Sequence, residues 1–103
     1  IGRAMCLHLY GELDNDTSRP FEKIVEDFFS QDYMPPVLVL ECGNLQYVSS
    51  TGIGVFVSIL MKCNRQDIKL YLSAIPAKIY ELFSLLGFSN YFTFIDSTTE
   101  VIE

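Results

Sequence analysis

Apolar residues along this chain change their spacing again and again, and that change limits the available folds more than any other feature. Over residues 4–10, Met5, Leu7 and Leu9 alternate with Ala4, Cys6, His8 and Tyr10, the two-residue repeat of a strand. Phe21, Ile24, Val25, Phe28 and Phe29 then recur at helical spacing and make one stripe. Val37 to Glu41 is a continuous run of branched residues, the pattern of a strand covered on both faces. The exchange repeats. Ile53, Phe56, Val57, Leu60 and Met61 mark one face of a second helix, and Ile68, Leu70 and Leu72 mark a strand. Ile79, Leu82, Phe83 and Leu86 mark a third helix, and Phe92 to Ile95 a last strand. Ser97-Thr98-Thr99-Glu100 has the spacing of a capping box and predicts a short fourth helix. Alternation of this kind predicts an α/β fold whose sheet has a parallel core, with about four helices packed on it.

Turn-forming residues punctuate the pattern. Gly11 is expected to end the first strand, and the polar run Glu12 to Ser18 to form a loop. Thr17 or Ser18 can cap the first helix by accepting from a free backbone N–H, and Pro20 fits its first turn. Pro35-Pro36 bars continuation, Pro76 opens the third helix and Gly87 closes it. With no repeat or linker, residues 1–103 read as a single domain. The first residue is Ile1 rather than Met, so the start is read as trimmed.

Charge narrows the partners. Seven Lys plus Arg against thirteen Asp plus Glu leave a net charge of -6. Such a balance repels phosphate backbones and anionic lipid, so neither nucleic acid nor a membrane is the expected partner. The longest apolar stretch, Ile53 to Met61, is far short of the roughly 20 residues a spanning helix needs. Cys6, Cys42 and Cys63 each lie in an apolar run without a C-x-x-C pair, which predicts buried free thiols and a reducing, cytoplasmic setting.

Enzyme chemistry has little to work with. His8 is the one histidine, and it reads as a half-buried strand residue; no triad or metal set can be assembled around it. Gly52-x-Gly54 lacks the third glycine of a dinucleotide fingerprint. Glu12, Asp14 and Asp16 read as a solvated acidic loop rather than calcium ligands. The chain is therefore expected not to be an enzyme and to need no cofactor or metal.

Ser49-Ser50-Thr51-Gly52-Ile53-Gly54 carries the most information. Hydroxyls cap helices and glycines permit tight turns, which accounts for the segment structurally. A strand-to-helix turn is also exposed and open to a kinase, and a phosphate there would meet the backbone N–H groups of a helix N-terminus. With the apolar stripe of the second helix turned to the sheet, Val55, Ser58, Ile59 and Lys62 are expected to look outward or sideways beside that turn. They would offer a contact patch.

Gly11-Glu12-Leu13-Asp14, Val39-Leu40-Glu41, Tyr47-Val48-Ser49-Ser50-Thr51-Gly52-Ile53-Gly54-Val55-Phe56-Val57 and Leu82-Phe83-Ser84-Leu85-Leu86-Gly87-Phe88 together resemble STAS domains. Among these the similarity is to bacterial anti-sigma factor antagonists. The resemblance implies a single STAS-like domain with a mixed β-sheet and an N-terminal strand that is mostly missing here. It implies an antagonist that binds an anti-sigma factor, itself a serine kinase, and is released when the turn is phosphorylated. A phosphatase then restores it. On this resemblance Ser50 is the acceptor and Thr51 the second candidate. Asp14, Ser49, Ser50, Thr51, Gly52, Val55, Ser58 and Ile59 form the partner surface of a chain that is monomeric when free. Ser49 stands where the family usually has an acidic residue, which leaves open a constitutive scaffold, or a regulatory module of a larger assembly, that is not phosphorylated. Anion or nucleotide binding at the same turn is a further reading.

Overall fold

The computed structural model describes residues 4–32 and 34–96. Four strands and three helices alternate: β1 (Ala4–Leu13), α1 (Ser18–Phe29), β2 (Val37–Val48), α2 (Ser50–Arg65), β3 (Lys69–Ser73), α3 (Ala77–Leu85) and β4 (Thr93–Ile95). The strands lie in the order β1-β2-β3-β4, and all three pairings are parallel. The antiparallel strand that would make the sheet mixed does not occur among the described residues. The expected fourth helix at Ser97–Glu100 lies outside them.

Parallel strands in sequential order require three crossovers running in one direction. Each is right-handed by the usual strand twist, so α1, α2 and α3 stack on one face of the sheet. The core confirms this layering. Leu38, Leu40, Leu70 and Leu72 from the strands share one buried cluster with Val25 of α1, Phe56 of α2 and Phe83 of α3. The Phe56 and Phe83 rings meet edge to face at 5.5 Å. By strand alternation Val39 points the other way, and it too is fully buried. On that face Val37 and Glu41 are half-buried, so the branched run of β2 is fully covered on the helix face and partly on the other.

β1 is longer than its period suggests. Gly11 does not end it; the strand continues to Leu13 through two irregularities in its register with β2, one on each side of Tyr10 and Gly11. Gly11 takes a φ of 80°, a left-handed geometry that a glycine adopts without steric cost. β2 runs seven residues beyond Glu41 to keep pace with it. His8 is exposed rather than half-buried, and Cys6 is only half-buried, whereas Cys42 and Cys63 are fully buried.

The face of α2 corrects the sequence reading. Val55 and Ile59, expected outward, are 2% and 1% exposed, while Met61, expected inward, is 52% exposed. α2 packs on the sheet and is flanked by α1, so a wide arc of its surface is covered, running from Val55 through Ile59 to Ile53. The centre of that arc lies roughly a quarter turn from the expected stripe. Apolar residues occupy both possible faces, so periodicity alone could not separate them. Among the described residues, no helix is long and apolar enough to cross a membrane.

Candidate functional site

In a parallel sheet, the loops leaving the C-terminal strand ends gather at one edge, and the hydroxyl turn lies there. β1 and β2 end side by side at Leu13 and Val48. The Ser49 N–H then donates to the Leu13 carbonyl at 2.9 Å, tying the turn to the neighbouring strand.

Ser49 is the N-cap of α2. Its backbone is extended, and its Oγ accepts from the Gly52 N–H at 3.1 Å. The hydroxyl also lies 3.4 Å from the Leu13 carbonyl, to which it can donate. An acidic side chain would fill the same capping role. Here the cap is neutral, and the first turn of α2 holds no acidic residue. The partial positive charge of the helix N-terminus is thus unopposed within its own turn.

Ser50 and Thr51 follow as the first two helical residues, both exposed. Gly52 is buried for a steric reason. A Cβ on it would lie 2.5 Å from the Leu13 carbonyl oxygen and 2.8 Å from Val48 Cγ1. Only glycine lets the helix start this close to β1, so Ser50 and Thr51 are presented by a backbone packed tightly from below. Gly54 is open, with nothing within 4 Å of its Cβ position.

The loop after β1 borders this turn. Asp14 Oδ1 accepts from the Asp16 and Thr17 N–H groups, each at 3.0 Å. These bonds, the Thr17 one foremost, hold the Asp14 carboxyl below the usual carboxylate range. The Thr17 hydroxyl accepts from the Asp14 N–H at 2.9 Å and stands 2.9 Å from the Glu12 carbonyl, to which it donates. The expected capping of α1 by Thr17 or Ser18 does not occur. Thr17 occupies the cap position, but its side chain turns back into the loop. The Ser18 hydroxyl donates to the Asp14 carbonyl at 2.6 Å.

The structure therefore brings together Asp14, Ser49, Ser50, Thr51 and Gly52, with Ser58 half-buried two turns along α2. It removes Val55 and Ile59, which lie in the core. Sequence reasoning missed Thr17, which fixes the acidic loop, and the exposed pair Gly54 and Met61. The Asp14-x-x-Thr17 spacing of a side-chain-stabilised turn was a signal that could have found the first.

The sequence model of the STAS domain matches residues 1–101. The anti-sigma-B factor antagonist of Staphylococcus aureus is 31% identical over 80 residues, which span 78% of this chain and 72% of that protein. A Thermotoga maritima protein of known structure superposes with a TM-score of 0.87 at 19% identity, over 99% of this chain and 86% of that one. The anti-sigma factor antagonist SpoIIAA, solved unphosphorylated, superposes with a TM-score of 0.72 at 16% identity, over 97% of this chain and 86% of its own. SpoIIAA of Bacillus has also been solved in a phosphorylated form, and it matches with the same TM-score.

Proposed function

The chain belongs to the STAS domain family, and we propose that it acts there as an anti-sigma factor antagonist, switched off by phosphorylation at Ser50. The observation that carries this reading is an exposed hydroxyl pair at the start of a helix that is capped by Ser49 and packed tightly through Gly52. The antagonist name of the staphylococcal relatives and the phosphorylated form of SpoIIAA support it.

The physical switch follows from where the charge lands. A phosphoserine carries about -1.5 to -2 charges, and on Ser50 its oxygens lie beside the free N–H groups at the start of α2. The domain itself keeps its fold. A protein docked over the turn must instead bury that charge, and an unpaired buried charge costs several kcal/mol. Because about 1.4 kcal/mol is a factor of ten, release by orders of magnitude is within reach.

Ser50 is the better acceptor of the two. Successive helical residues differ by about 100° in direction. Thr51 therefore leans toward the buried Val55, and Ser50 leans toward Gly54 and Met61, both exposed. Ser50 is therefore the one of the pair with open surface beside it for a kinase to approach. Asp14 shapes the neighbouring loop, Ser49, Thr51 and Ser58 complete the docking surface, and the buried Gly52 supports it from below. The partners on this reading are an anti-sigma factor with serine kinase activity and a phosphatase, in the cytoplasm, and the antagonist performs no catalysis.

Incubation with the anti-sigma kinase of the same organism and ATP is expected to add one phosphate group, mapped by mass spectrometry to Ser50. Ser50→Asp is expected to weaken the kinase complex by more than about tenfold in calorimetry while leaving the melting curve in place. Undiminished binding by Ser50→Asp would falsify the switch and leave a constitutive scaffold in its place.

A further inference from the structure

The outer face of α2 carries more than the hydroxyl pair. Ser50, Gly54, Met61 and Arg65 fall within an arc of about 60° on the helix, because successive residues turn by about 100°. All four are exposed, Met61 by 52%. They form a stripe about 22 Å long, from the hydroxyl turn to the last turn, with Ser58 and Lys62 half-buried along its flank. Charge sets this helix apart. Thirteen Asp plus Glu leave the chain a net charge of -6, and α1 and α3 both carry carboxylates, yet α2 has two cations, Lys62 and Arg65, and no carboxylate. Among the described residues, no carboxylate pairs with either cation.

Resting on the antagonist reading, we propose that the outer face of α2 docks an acidic surface of the anti-sigma factor, one with an apolar recess for Met61 and carboxylates opposite Arg65. The helix dipole accounts for the cations, which lie in the last turn. It does not account for the first turn, where the same dipole favours Asp or Glu and neither is present. Stability gives no reason to leave acid out of an exposed first turn. An acidic partner does, because like charges brought together at an interface are penalised. Met61 supplies an adaptable apolar contact, and the open surface at Gly54 lets a partner come close between Met61 and the turn. The switch then gains a second component. Phosphate on Ser50 puts negative charge at one end of the stripe, so release comes from repulsion of the partner's carboxylates as well as from desolvation.

The test is calorimetry of the full chain with the anti-sigma kinase of the same organism, with melting curves as the control for folding. Arg65→Glu and Met61→Ser are each expected to weaken the complex by about tenfold or more, and both should melt with the native chain because the two side chains are exposed. Raising NaCl from about 50 to about 500 mM is expected to weaken it by about tenfold. Ser50→Lys separates charge from bulk: it is expected to bind at least as well as the native chain, whereas Ser50→Asp does not. Native affinity in both Arg65→Glu and Met61→Ser, while Ser50→Asp still releases the kinase, would overturn this proposal and leave the antagonist reading standing. Equal loss in Ser50→Lys and Ser50→Asp would overturn it too. Self-association of the native chain that Met61→Ser abolishes would assign the face to a second copy instead. No binding of the kinase by the native chain would remove the antagonist reading and this docking face with it.

Discussion

Gly52 and Gly54 sit two residues apart in α2, and the same substitution is expected to act on them with opposite sign. Alanine in place of glycine favours a helix by up to about 1 kcal/mol. At Gly54 nothing lies within 4 Å, so Gly54→Ala is expected to raise stability by about that amount. At Gly52 the new methyl meets the Leu13 carbonyl at 2.5 Å, and that atom is backbone already bonded to Ser49. Relief requires moving β1 or the helix start, and overpacking of this kind costs about 1–3 kcal/mol. Gly52→Ala is therefore expected to be destabilising overall. Urea unfolding of the two variants checks both signs, and a stable Gly52→Ala would mean that α2 does not rest on β1 as described. Asp14 gives a pH signature. Its folded carboxyl titrates below the ordinary value, so the stabilisation it lends is present above the unfolded pKa and is lost as pH falls through the folded one. Asn keeps the oxygen that accepts from Asp16 and Thr17 but does not titrate. Stability measured from pH 6 down to pH 3 is expected to fall less steeply for Asp14→Asn than for the native chain.

α2 is the element on which sequence and structure part company, and its two faces make a direct comparison. Ile59→Ala removes a side chain that is 1% exposed and is expected to cost about 2–5 kcal/mol. Met61→Ala removes one that is 52% exposed and is expected to change stability by less than about 0.5 kcal/mol. Reversal of that order in urea unfolding would restore the face expected from periodicity. The existence of every described element was legible because strands and helices were written in different repeats and bounded by proline and glycine. The orientation of α2 was not. Val55 and Ile59 compete with Val57 and Met61 for the core, and the choice falls to α1, a neighbour distant in sequence. Gly11 misled for a related reason. Inside a strand, a left-handed glycine makes a bulge when the partner strand is long enough to continue, and the length of β2 is not written near Gly11. At the site, the Ser49–Gly52 turn was readable from its residue types, but its coupling to the loop at Asp14 passes through the Leu13 carbonyl. A backbone atom has no signature in sequence.

For the molecule as a whole, the three thiols report how cooperatively the layers hold together. Cys42 belongs to β2 and Cys63 to the last turns of α2, and both lie in the one core cluster under the helices. Burial pushes their thiols up to about 12 and about 11 respectively. Burial raises Cys6 as well, with the nearby Glu41 adding to it, but its side chain is half-buried and reachable. At pH 9 both buried thiols therefore stay protonated in the folded protein. Alkylation of either thus needs the molecule to open, and raising pH alone does not expose it. Native protein treated with iodoacetamide is expected to take one label, at Cys6. The other two labels are expected together, at the urea concentration where tertiary structure is lost, because the sheet and all three helices share a single core. Labelling of Cys63 well before Cys42 would show that α2 detaches on its own. That outcome would also matter for the switch, since a helix that frays from β1 cannot hold Ser50 in a fixed place for a partner to read.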